Sequence, residues 1–90
     1  MATEVIGGSS YINLSASALV KTGEGTLCGI FVASSTSGTI KLWNSLTAAA
    51  PVLVNTFSAV AGTWYPLPFK FSTGLYVTLA GTIDCSVSYS

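Results

Sequence analysis

Leu75-Tyr76-Val77-Thr78-Leu79-Ala80-Gly81-Thr82-Ile83-Asp84-Cys85-Ser86-Val87-Ser88-Tyr89 alternates apolar and polar side chains with a period of two on either side of Ala80-Gly81. Leu75, Val77 and Leu79 fall on one face and Tyr76 and Thr78 on the other; Ile83, Cys85, Val87 and Tyr89 then alternate with Asp84, Ser86 and Ser88. Successive side chains of an extended chain point to opposite faces, so this pattern predicts two strands, each with one buried face.

Working outward, the same alternation is cleanest near the start. Ile12, Leu14, Ala16, Ala18 and Val20 alternate with Tyr11, Asn13, Ser15, Ser17 and Leu19, predicting a first strand. Lys21-Thr22-Gly23-Glu24-Gly25 follows as a tight turn into the apolar run Thr26 to Ala33, and the two strands are expected to form a hairpin. Ser34 to Gly38 is a loop by composition. Thr39 to Asn44 resumes the pattern with Ile40 and Leu42 opposed to Lys41 and Trp43, and Pro51 makes Ser45 to Ala50 a loop rather than a turn of helix. Val52 to Ser58 is a fourth strand. Pro66 and Pro68, two residues apart in Thr63 to Phe69, both lack a donor N–H, which suits only an edge strand or an irregular corner. Seven or eight short strands without a helix predict an all-β chain: a single antiparallel β-sandwich of jelly-roll or Greek-key type over residues 11–90. Residues 1–10, with Gly7-Gly8-Ser9-Ser10, are expected to be a flexible arm.

Charge is scarce. Lys21, Lys41 and Lys70 balance Glu4, Glu24 and Asp84 among 90 residues, so 7% of the chain is charged where about 25% is usual. The folded surface expected for this size, roughly 4,900 Å², then carries about one charge per 800 Å², comparable to one partner's share of a standard interface. The 24 Ser and Thr residues hydrate part of that surface without charge. A neutral chain with such a surface tends to associate, and interface centres are depleted of charge, so a subunit working inside an assembly is expected. With 50% hydrophobic residues the chain has the composition of a folded domain.

The residue inventory narrows the chemistry. There is no His to act as general acid or base or to activate a Ser or Cys nucleophile. Glu24 reads as a solvated turn residue, and Asp84 as a polar group guarding the last strand or bonding within an interface. Two Cys without His fall short of a zinc site, and three scattered acids give no calcium-loop spacing. Gly23-Glu24-Gly25 lacks the glycine spacing, helix and Lys of a phosphate cradle. Three Lys and no Arg argue against nucleic acid. Leu46 to Val54, broken by Thr47 and Pro51, is far too short to span a membrane as a helix, and Glu4 stands where a signal peptide carries a basic residue. The expectations are no enzyme activity, no cofactor, no metal and no membrane partner. Cys28 and Cys85 are read as reduced, buried small hydrophobes, and the Asn13-Leu14-Ser15 sequon as coincidental. Trp43, Trp64 and Tyr65 remain as residues able to anchor a partner or stack on a sugar, joined by Val5 and Ile6 in the arm.

The turn Lys21 to Gly25, the strand Gly38-Thr39-Ile40-Lys41-Leu42-Trp43, and the run Ala61 to Pro68 followed by Phe71 to Thr78 resemble small β-sandwich virion proteins of tailed bacteriophages and prophages. The similarity runs from about Ser15 to the end and rests on turn and core patterns. It carries over no catalytic residue. It implies a structural virion component, a capsid decoration or cement protein bound to the major capsid protein outside the head shell, often as a homotrimer. Such a chain is made in the host bacterial cytoplasm and ends on the capsid surface. The alternative is a tail, fibre or head–tail connector component with a carbohydrate- or receptor-binding surface.

Overall fold

A computed structural model describes residues 10–90. Ser10 belongs to the first strand, and the rest of the expected arm, including Val5 and Ile6, lies outside the described residues. Six strands follow in order: β1 (Ser10–Leu14), β2 (Ala18–Thr22), β3 (Gly25–Trp43), β4 (Val52–Ser58), β5 (Thr63–Phe71) and β6 (Gly74–Tyr89). All pairings are antiparallel, and the described residues contain no helix.

The long strands β3 and β6 pair with each other from Leu27↔Tyr89 to Trp43↔Tyr76 and form the centre. Each has two partners on its other edge. β1 lies beside the C-terminal half of β6 and β2 beside its N-terminal half, while β5 flanks the N-terminal half of β3 and β4 its C-terminal half. Two four-strand arrays result. The first runs β1, β6, β3, β5; the second runs β2, β6, β3, β4.

A straight 19-residue strand would extend roughly 63 Å, yet the longest dimension of the fold is 38 Å. β3 and β6 therefore bend together. The bend lies where Thr36–Thr39 faces Ala80–Thr82, with a register shift between Thr36 and Thr39, and with Ser37 at φ 52° and Gly81 at φ 79°. A Cβ at Gly81 would collide with the Ser37 carbonyl, so glycine answers both the backbone angle and the close approach. The Ser35 hydroxyl donates to the Ala59 carbonyl at 2.9 Å and accepts from the Gly38 N–H at 3.2 Å, supplying bonds the disrupted ladder lacks.

The bend is what creates a core. A flat sheet with no covering helix leaves both faces wet, but Ile30 and Val32 in the first array and Leu42 and Val77 in the second are all fully buried in one continuous cluster. Buried side chains of both arrays thus share one core. Each such Leu, Ile, Val or Phe contributes about 1.5–3 kcal/mol by leaving water. Phe71, the largest of them, enters from the end of β5.

Several sequence expectations change. The expected first strand is broken at Ser15-Ala16-Ser17, where the Ser17 hydroxyl accepts from the Leu79 N–H at 2.9 Å and donates to the Leu79 carbonyl at 3.4 Å. The side chain takes over the ladder while the backbone crosses from one array to the other. The expected hairpin is an arch: β2 pairs with β6 and not with β3, and Gly23 N–H donates to the Thr73 carbonyl at 2.9 Å. Ser34–Gly38 is strand rather than loop, because its backbone still bonds to β6 around the bend. The strand count is accordingly six, the expected second and third strands being one and the last two being one. Val52–Ser58 has the expected bounds, and the proline-bearing β5 is an edge strand paired with β3 alone.

Candidate binding surfaces

Each array has one buried and one more exposed face, so function must be sought on the two exposed faces, the edges and the turns. Among the described residues no pocket opens, and no group of three or more His, Cys, Asp or Glu side chains converges.

On the second array, Val52, Trp43, Tyr76 and Leu19 stand in register across β4, β3, β6 and β2. Directly opposed residues share a face, with Cα atoms about 4.5–5.5 Å apart. The result is an unbroken apolar row, with Val52 and Leu19 exposed at its ends and Trp43 and Tyr76 half-buried between them. Trp43 is tied down: its Nε1–H donates to Thr78 Oγ1 at 2.9 Å and the Lys41 ammonium sits 4.3 Å from its ring centroid. This cation–π contact occupies one ring face.

On the first array, Trp64, Phe31, Ser86 and Asn13 stand in register across β5, β3, β6 and β1, and Pro66, Gly29, Ser88 and Tyr11 form the next row. Trp64 is 49% exposed and Phe31 44%. A Cβ on Gly29 would meet Trp64 Cη2 and Cζ2 at 2.5 Å, so the six-membered ring of the indole rests on the Gly29 backbone. Gly29 leaves the space that the ring occupies.

At the other end of this row, Asn13 Nδ2 donates to Asp84 Oδ1 at 2.8 Å, to the Cys85 carbonyl at 3.0 Å and to Ser86 Oγ at 3.3 Å. The carboxylate, amide and hydroxyl are thereby held in one ordered cluster on the same outer face.

Tyr65 has a different part. It alternates away from Trp64, packs against the core, lies 5.0 Å from the Phe57 ring, and uses its hydroxyl to accept from the Val60 N–H at 2.9 Å and donate to the Ser58 carbonyl at 3.4 Å. It pins the β4–β5 corner. Trp43, Trp64 and Tyr65 thus do not converge: they stand on the second outer face, on the first outer face and at a corner. Sequence reading singled out neither Phe31 nor Leu19 and Val52. The paired register of Phe31 with Trp64 and of Val52 with Trp43 is a cross-strand property that alternation along one strand does not carry.

Both cysteines are free thiols. Cys85 stands opposite Val32, four residues along β3 from Cys28 or roughly 13 Å, beyond the span of a disulfide. Burial first, and the neighbouring Asp84 second, push the Cys85 thiol up to about 11. Cys28 is half-buried beside a register shift.

Comparison of the chain with protein-family models, with curated proteins and with solved structures gives no match.

Proposed function

We propose that this chain is a non-enzymatic structural component of a bacteriophage virion, a decoration or cement protein that binds the major capsid protein on the outside of the head shell and stabilises it. The observation that carries this reading is the apolar row Val52, Trp43, Tyr76 and Leu19, which crosses all four strands of an outer face. Three interstrand spacings make it roughly 14 Å wide. A half-buried Trp flanked by aliphatic groups is the composition of an interface centre, with Lys41 and Thr78 beginning a polar rim.

The near absence of charge supports the same reading, as does the sequence resemblance to small phage virion proteins. In the finer form of the proposal, the two arrays are the layers of a jelly-roll or Greek-key-type sandwich, and three copies assemble on the shell. A protein that binds only the assembled shell stabilises it by mass action, so each added contact raises the threshold for shell opening.

The test is copy number and docking. Quantitative mass spectrometry of purified particles should find this chain in hundreds of copies, on the order of the major capsid protein itself. Purified protein added to undecorated shells should bind, and Leu19→Glu and Val52→Glu, both at exposed positions, should abolish occupancy while retaining the native β-sheet circular dichroism. A handful of copies per particle would move the chain to the tail, fibre or connector. Full occupancy by both variants would refute the assigned face.

A further inference from the structure

We propose that the outer face of the first array is a binding site for an uncharged oligosaccharide, with Trp64 and Phe31 as the stacking platform and Asn13, Asp84 and Ser86 as the hydroxyl-reading group. This inference concerns the face not used for shell docking and does not rest on the virion reading.

The platform is built by Gly29. The indole occupies the space over a backbone position without a side chain while about half of its surface stays exposed; Phe31 stands opposite it in register and Pro66 follows two residues on in the same strand. A flat, immobilised aromatic surface loses little conformational freedom when a flat ligand settles on it. The C–H face of a pyranose ring is such a ligand, apolar on its face and polar around its rim. Trp43 lacks this geometry, since Lys41 already lies over its ring.

The polar end supplies what the rim requires. Asn13 Nδ2 is committed to Asp84, Cys85 and Ser86, which aligns the amide and carboxylate and leaves Asn13 Oδ1 and Asp84 Oδ2 as acceptors with no protein donor among the described residues. Two fixed acceptors beside a rotatable Ser hydroxyl match a ligand rich in O–H donors. Trp64 and Asn13 are separated by three interstrand spacings, roughly 14 Å, so the ligand is a chain of sugar rings laid across the strands rather than a single ring.

Charge selects against other occupants. Among the described residues of these strands the ionised side chains are Asp84 near one end of the first array, Lys70 near the other, and Lys41 in the half of β3 that belongs to the second array, so the first array itself carries one charge of each sign. Tyr11, 77% exposed in the neighbouring row, extends the aromatic surface on the Asn13 side.

The experiment is isothermal titration and ligand-observed NMR on the full chain with cellohexaose, maltohexaose and hexa-N-acetylchitohexaose, and with glucose as the one-ring probe. At least one hexasaccharide should bind with Kd near 0.1–1 mM, the range of about −5 kcal/mol, and glucose should bind far more weakly. Trp64→Ala should weaken binding by at least about tenfold. Asn13→Ala should weaken it severalfold while the Trp64 contact persists, and Thr56→Ala on the far edge strand should leave it unchanged. Absence of binding by all three hexasaccharides at 10 mM, or equal affinity in Trp64→Ala, would overturn the inference. So would a fall in molar mass by sedimentation in Trp64→Ala without loss of sugar binding, which would give this face to a second copy of the chain.

Discussion

Gly38 is the position at which the fold can be tested most sharply. It is buried at the bend of β3, it is not among the glycines with positive φ, and a Cβ placed on it would collide with Ile83 Cγ1 and lie 2.5 Å from Ile83 Cδ1 and 2.7 Å from Ser35 Oγ. Ordinary carbon contacts are about 3.5–4.0 Å, so in Gly38→Ala the Ile83 side chain must retreat by on the order of 1 Å. Ile83 is 3% exposed and sits within the core cluster, leaving it nowhere to go. Overpacking of this kind costs about 1–3 kcal/mol, and displacement of the Ser35 hydroxyl, which bonds both Gly38 and Ala59, adds about 1 kcal/mol. A total of about 2–4 kcal/mol corresponds to a fall in Tm of roughly 10–30 °C for a domain of this size. Ile83→Ala removes both colliding carbons and on its own costs about 2–5 kcal/mol. In the double variant the new methyl occupies part of the cavity. The two costs should therefore not add, with a coupling of at least about 1 kcal/mol. Urea unfolding followed by tryptophan fluorescence, at unchanged m, measures all four corners of the cycle. Additive costs, or a Gly38→Ala cost below about 0.5 kcal/mol, would refute the packing of β3 against β6 at the bend.

Other expectations follow from single contacts. Tyr65→Phe should cost about 1 kcal/mol, because the hydroxyl holding Val60 and Ser58 is lost while the ring stays on Phe57, and denaturant midpoints check it. Asn44→Ala should cost about 1–2 kcal/mol, since Asn44 Oδ1 accepts from the N–H groups of both Ser72 and Thr73, and Asn44→Asp, which keeps an acceptor, should recover most of it. The Cys85 thiol holds its proton more tightly in the fold than in the unfolded chain, about 11 against 9.0. The stability this contributes is complete below about pH 9 and is lost as pH rises through about 11, a fall of about 3 kcal/mol. Cys85→Ala should flatten that alkaline limb in chemical denaturation. Native-state alkylation at pH 8 should modify Cys28 well before the fully buried Cys85.

Alternation made the two halves of β6 readable, though not their union into one strand, while the bounds of β4 and the proline-marked edge β5 were legible from composition and missing donors. It failed where one pattern fits two backbones. Tyr11 to Val20 keeps its alternation straight through Ser15-Ala16-Ser17, yet the chain crosses between arrays there, since a Ser hydroxyl replaces the ladder bonds. Gly23-Glu24-Gly25 has turn chemistry that serves a hairpin and an arch equally, and the choice depends on β6 offering an edge to β2. Ser34 to Gly38 has loop composition, but its backbone is held by a strand more than forty residues later in the chain. Among the candidate residues, exposed aromatics were legible as a class and not as a place: Tyr65 belongs to a corner, and Trp64 stands beside Phe31 only by register.

The sequence alone determined that this is an all-β chain, poor in charge and without histidine, because period and composition are local properties summed along the chain. Tertiary structure decided that two long strands bend together at Gly38 and Gly81, that buried side chains of both halves join one core, and which aromatic rings share an outer face. Those outcomes depend on pairings between residues far apart in sequence, where close approach of backbones and the need to cover an apolar face select one arrangement among several that the same alternation allows.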